Sequence, residues 1–185
     1  MKRRSVAAAG IALLIGTAAS LAAREPSLAG MKSPARATTS CGVERWTVKT
    51  LQDKPSLHAI QTGTIAQLIT VPKPDPLPGT RAPFEFNQFR VTARVTKIIG
   101  EADGDLHLVI SDGSHTMIAE SPVLACASGA TSYRQAQMRS AHAAVRLCDS
   151  AELVGVAFFD FFHHQTGVAP NEIELHPLHA FRCLS

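Results

Sequence analysis

FRVTARVTKIIGEADGDLHLVISDGSHTMIAES, residues 89–121, decides the fold. Phe89, Val91, Ala93 and Val95 alternate with Arg90, Thr92, Arg94 and Thr96, the period-2 pattern of a strand with one buried face. GEADGD at 100–105 reads as a turn. Over 106–111 the apolar positions Leu106, Leu108 and Ile110 alternate again, and Asp112-Gly113 is a hairpin signal. A third strand follows over 115–121, and Pro122 stops it. The stretch predicts three meandering antiparallel strands.

Toward the C-terminus, Thr131 or Ser132 can cap a helix. Tyr133, Ala136, Met138, Ala141, Val145 and Leu147 give it a loose apolar stripe running through Cys148. AELVGVAFFDFF, 151–162, is apolar on both faces and predicts a buried strand with Gly155 as a bend or bulge. QTGVAPN turns the chain, and 172–182 is the last strand, in which Pro177 requires a bulge or an edge position. The order β-β-β-α-β-β predicts a mainly β fold, a small five-stranded OB-like barrel spanning 84–185. A β-sandwich is the alternative, and the single helix after the third strand argues against it.

Toward the N-terminus, five prolines within 71–83 exclude helix and central strand alike, so this piece reads as a stiff surface connector. TIAQLIT, 64–70, reads as a short helix on the barrel. Residues 41–83 form an N-terminal extension and 23–40 a polar tether. Residues 1–22 combine Lys2, Arg3 and Arg4 with an apolar run over 6–16 and Ser20-Leu21-Ala22, the features of a cleavable secretory signal peptide. The run is shorter than the ~20 residues that span a bilayer. The expected location is periplasmic or secreted, with no membrane span after cleavage. Without the three basic groups of that leader, 15 Lys plus Arg face 15 Asp plus Glu. A formally neutral chain speaks against nonspecific nucleic-acid binding, which relies on clustered cations.

Four cysteines in an exported chain imply two disulfides. In an antiparallel hairpin of 151–162 and 172–182, the start of the first strand faces the end of the second. Cys148 therefore pairs with Cys183, a closure that contributes about 3–4 kcal/mol in the chain-entropy account. Cys41–Cys126 follows by elimination. The spacings lack the close ligand pairs of a zinc site.

Cys41-Gly42-Val43-Glu44-Arg45-Trp46, with GVAFFDFFHHQTGVAPNEIELHPL at 155–178, resembles an uncharacterised group of exported bacterial proteins. These share a CG-x-ERW start, an HLV-x-SD hairpin and an FFD-x-x-H-x-QTGVAPN-x-IELHP ending. The resemblance covers about residues 41–182 and brings no activity with it. Asp103-Gly104-Asp105 and Glu120-Ser121-Pro122 also resemble the DGD turn and the metal-binding acid of thermonuclease barrels. His115 stands where that family's catalytic arginine is expected, and no Glu follows Pro122. The resemblance therefore implies a related barrel without the full hydrolytic set.

Four of the eight histidines fall within 158–179. His163 and His164 lie near the hairpin tip, Asn171 serves the turn, and Glu174 and His176 share one face of the returning strand. These five are the candidate ligand-binding residues. Imidazole and carboxylate together suit a transition metal, and the plain alternative is a solvated hairpin with Glu174 and His176 on its exterior. A bulge at Pro177 would bring His179 onto that face. The candidate metal ligands are Asp103, Asp105, Glu120 and His176, with His107 beside the first two. A polar turn is the alternative there, because calcium demands 6–8 oxygens. Trp46 is expected to pack the N-terminal segment onto the barrel, with Arg45 paired to Glu44 or a barrel acid. Phe84, Phe86, Arg90 and Arg94 can form a stacking and phosphate-binding surface or merge into core and solvated edge. No nucleophile elbow or phosphate-cradling loop is present, and Ser114 beside His115 makes no triad. The expectation is an exported binding module of unknown ligand rather than an enzyme, with no cofactor beyond a divalent metal. A metal-dependent hydrolase of nuclease type and a metal-binding protein using the histidine hairpin are the alternatives.

Overall fold

The computed structural model describes residues 41, 44–162 and 164–185; the signal peptide and tether read from the sequence lie outside them, as does His163. The elements run α1 (Trp46–Lys49), β1 (Ile60–Thr62), α2 (Ile65–Leu68), β2 (Gln88–Gly100), β3 (Leu106–Ser111), β4 (Thr116–Ser121), α3 (Ser132–Ala144), β5 (Cys148–Phe159) and β6 (Ile173–Cys183). Single 3-10 turns sit at Pro83–Phe86 and Leu124–Ala127. Thr64 and Gln67 cap α2 reciprocally through side chain and backbone, and Thr131 caps α3.

The sheet order is β1-β2-β3-β4-β6-β5, and β5 pairs back onto β2. Strands β2–β6 therefore close a five-stranded barrel of OB-like topology, with β4–β6 the parallel pair and β1 an added strand parallel to β2. Alternation fills the interior: Val91, Leu108, Ile110, Met117, Leu153 and Phe159 belong to one buried cluster. A smaller cluster of Leu51, Ala127, Ala130, Met138 and Val156 lies apart from it.

Both disulfides join the expected partners, Cys41–Cys126 and Cys148–Cys183. They suit an oxidising compartment. Among the described residues, no helix is long and apolar enough to cross a membrane.

Several expectations need correction. The helix ends at Ala144, and β5 begins at Cys148 rather than 151 and ends at Phe159 rather than 162. Only Met138 and Ala141 of the proposed helical stripe are buried within α3, and Tyr133 and Leu147 are exposed. The helix needs just one narrow stripe because it packs chiefly against β6 of a barrel that is already closed. Phe84 stacks on Phe89 and meets Phe159, while Arg90 and Arg94 pair with Glu152 and Asp149 on the surface. The four thus form no common stacking platform.

Of the two expected partners of Arg45, Glu44 or a barrel acid, the structure shows an acid of the barrel region, Glu85, in the turn before β2. The guanidinium gives Nη1 to Glu85 Oε1 (2.7 Å), Nη2 to Oε2 (2.5 Å), and further bonds to the Phe159 and Thr80 carbonyls. Glu85 also accepts from the Ala82 and Phe159 amides.

Pro177 produces the expected irregularity. Opposite Ala157, Gly155 and Val154 stand Leu175, Leu178 and Ala180, so β6 carries an extra residue at two places. Gly155 is needed there, because a Cβ would lie 2.8 Å from Leu175 Cβ and 3.2 Å from the Pro177 carbonyl oxygen. Gly155→Ala should lower the unfolding free energy by about 1–3 kcal/mol, the usual cost of overpacking, measured by urea denaturation; an unchanged midpoint would show that the bulge tolerates a methyl group.

Candidate functional site

The barrel's outer surface carries the polar chemistry. His107 stands opposite Glu120 and Val109 opposite Ile118 across the β3–β4 hairpin. The parallel β4–β6 pair sets Ile118 beside Glu174, and β5–β6 sets Phe158 beside Glu174. Cross-strand partners share a face, so these residues all point away from the interior. They are buried nonetheless: Asp105 and His107 are 1% exposed, Glu120 and Glu174 2%, and His176 0%.

Two segments cover them. α1 sends Lys49 to Asp160 (2.8 Å) and lays Arg45 and Lys49 over the Phe158 ring. The chain after β5 crosses β3, where Gly167 has φ 89° and a Cβ on it would sit 2.7 Å from Val109. That approach needs glycine on both counts. The Thr166 carbonyl there meets His107 Nε2 at 2.9 Å.

The structure brings together Asp105, Glu120, His176 and Glu174. His176 Nδ1 is 3.0 Å from Glu120 Oε2 and 3.8 Å from Glu174 Oε2, and its Nε2 is 3.9 Å from Asp105 Oδ2. The 3.0 Å approach suits an ion pair but is not aligned as a hydrogen bond, so both ring nitrogens and Glu174 Oε2 are buried without a hydrogen-bond partner. Ligand atoms of Asp105, Glu120 and His176 lie within 4.8 Å of one another, as do those of Glu101, His107 and Glu120.

Charge is concentrated here. Burial pushes the Asp105 carboxyl up to about 6, against the pull of His176. Burial and the Glu120 charge push Glu174 up to about 7. Burial alone would raise Glu120 too, but the His176 and His107 cations hold it well below the carboxylate range. The carboxylates outweigh burial at the imidazoles, raising His107 to about 10 and His176 to about 9. Lys49 is likewise raised, chiefly by Asp160 against its own desolvation.

The remaining candidates lie elsewhere. Asp103 accepts the Asp105 amide at 3.1 Å and shapes the turn. His164 is exposed at the tip, edge-on to Phe162. Asn171 donates to the Leu68 and Val71 carbonyls, tying the turn to the end of α2. The histidine hairpin is therefore no single surface: Glu174 and His176 belong to a sealed polar layer, which corrects the reading of them as solvated. His179 is buried but separate, held down to about 4 by burial and the Arg134 cation. Glu101, Lys49 and Asp160 were not picked out by the sequence reading, since each joins the set only through tertiary contact.

Comparison with family models and with curated proteins gives no match. Among solved structures, a putative aspartyl-tRNA synthetase from Leishmania major Friedlin is similar, at 12% identity and TM-score 0.45, over 68% of this chain and 21% of that one. The chain thus spans about a fifth of that protein's length.

His179 gives a pH test. The unfolded chain protonates this imidazole near ~6.5 and the folded chain near 4. Its contribution is complete above the first value and is lost as pH falls toward the second. Wild type should lose about 3 kcal/mol more than His179→Gln between pH ~7 and ~4. Denaturation of both proteins at the two pH values measures this, and using the difference cancels the opposite trends of Asp105 and Glu174. Parallel pH profiles would contradict it.

Proposed function

We propose that this is an exported small β-barrel binding module whose ligand is a divalent transition-metal ion, held by Asp105, Glu120 and His176. The observation that carries the reading is His176. A fully buried imidazole with neither nitrogen hydrogen-bonded is costly, and it stands among three carboxylates that supply the donor types such ions take. Glu174, with its unpartnered oxygen, is the neighbouring further donor. The two disulfides and the leader-like N-terminus support export.

A metal-dependent hydrolase of nuclease type would use the same acids, and the convergence of Asp105 with Glu120 favours it to that extent. Against it, a substrate phosphate must reach carboxylates that are 1–2% exposed, on a face crossed by α1 and Thr166–Gly167. His115, at the position of the family's arginine, instead pairs with Asp112 in the exposed β3–β4 loop.

The test is thermal melting of the oxidised, chelator-treated chain with zinc, copper, nickel, calcium or no metal. At 100-fold excess over Kd, binding adds about 2.7 kcal/mol, a rise in Tm of roughly 5–10 °C. Zinc, copper or nickel should produce it, His176→Ala should reduce it, and His164→Ala should retain it. No shift with any metal, or a shift undiminished in His176→Ala, would refute the reading.

A further inference from the structure

Glu120 presents its two oxygens to two different histidines. Oε2 faces His176 Nδ1 at 3.0 Å, and Oε1 faces His107 Nδ1 at 3.1 Å. His107 Nδ1 is also 3.4 Å from Glu101 Oε1. The other ring nitrogen meets the Thr166 carbonyl oxygen at 2.9 Å. A carbonyl only accepts, so Nε2 carries the hydrogen. Nδ1 of the neutral ring then directs a lone pair toward two carboxylate oxygens. That arrangement is repulsive unless an electropositive centre, a proton or a metal, lies among the three. A backbone carbonyl fixing the far N–H is how proteins orient a metal-ligating histidine.

We propose that Glu120 is the bridging carboxylate of a two-metal centre: Glu101 and His107 hold a second divalent ion beside the one held by Asp105 and His176. The inference rests on the metal-binding reading above and extends it from one ion to two. Both halves have the same composition, one imidazole and one terminal carboxylate about a shared Glu120. The unpartnered, fully buried nitrogens of His176 face this centre from one side, and the oriented ring of His107 closes it from the other. Charge balance agrees. The layer holds five carboxylates (Glu101, Asp105, Glu120, Asp160 and Glu174) and the Lys49 ammonium, which pairs with Asp160. Two divalent ions with neutral imidazoles bring that set to zero, whereas two imidazolium protons leave it negative.

The experiment is metal stoichiometry on the full, oxidised chain. The chelator-stripped protein is dialysed against zinc and, separately, cobalt, and the bound metal is counted by atomic emission. We expect two ions per chain in wild type and in His164→Ala, one in His107→Gln, one in His176→Gln, and loss of high-affinity binding of both in Glu120→Gln. Wild-type protein also decides the matter without variants: electron paramagnetic resonance of the cobalt form should show coupling at two equivalents that is absent at one. One ion per chain, kept in His107→Gln and lost in His176→Gln, would overturn the second position and leave the metal-binding reading standing. No bound ion at all would overturn both and identify the His107 position as a proton in a structural ion pair.

Discussion

The buried pair of Arg45 and Glu85 is the joint on which the architecture depends. Three distant stretches meet in it: the segment leading into α1, the proline-rich connector through Thr80 and Ala82, and the end of β5 at Phe159. Glu85 is fully buried, so each of its bonds is made outside water's competition. Removing one partner of such a pair costs about 3–5 kcal/mol, because the other is left as an uncompensated buried charge. The Cys41–Cys126 bond holds the same segment from its other side. Between them, α1 is fixed against the barrel where Lys49 can reach Asp160.

That placement turns an ordinary outer barrel surface into an interior. The strands would otherwise show His107, Glu120 and Glu174 to solvent. With α1 on one side and Thr166–Gly167 on the other, the carboxylates and imidazoles are forced to satisfy one another. The result is a second, polar core outside the barrel wall, separated by the strands from the apolar core within. In OB-like barrels the outside of the second and third strands is an open face. Here those strands are β3 and β4, and the chain's own segments lie across them.

Much of the barrel was legible because alternation states which residues turn inward, and Phe89 to Val95 and Leu106 to Ile110 do so as read. What alternation cannot state is what covers the other face. Alternation puts Glu174 and His176 on the outer side but does not reveal their burial, because the Lys49 that lies near them is far away in sequence. The pairing of His107 with Glu120 was hidden for a narrower reason. A two-residue turn at Asp112-Gly113 would set His107 opposite Ile118, but the loop runs through His115. There Asp112 accepts the Ser114 and His115 amides, and the longer loop moves His107 opposite Glu120. The disulfides were readable because hairpin geometry left one pairing for the first and elimination set the second.

The most direct test of the sealed polar face is the rate at which diethyl pyrocarbonate modifies each histidine, read by mass spectrometry in the native chain and in Arg45→Met. His107 and His176 should react far more slowly than the exposed His115 and His164 in the native chain, and their protection should fall in Arg45→Met while the barrel keeps its far-ultraviolet circular dichroism. Modification of His107 and His176 in the native chain as fast as that of His115 would contradict it.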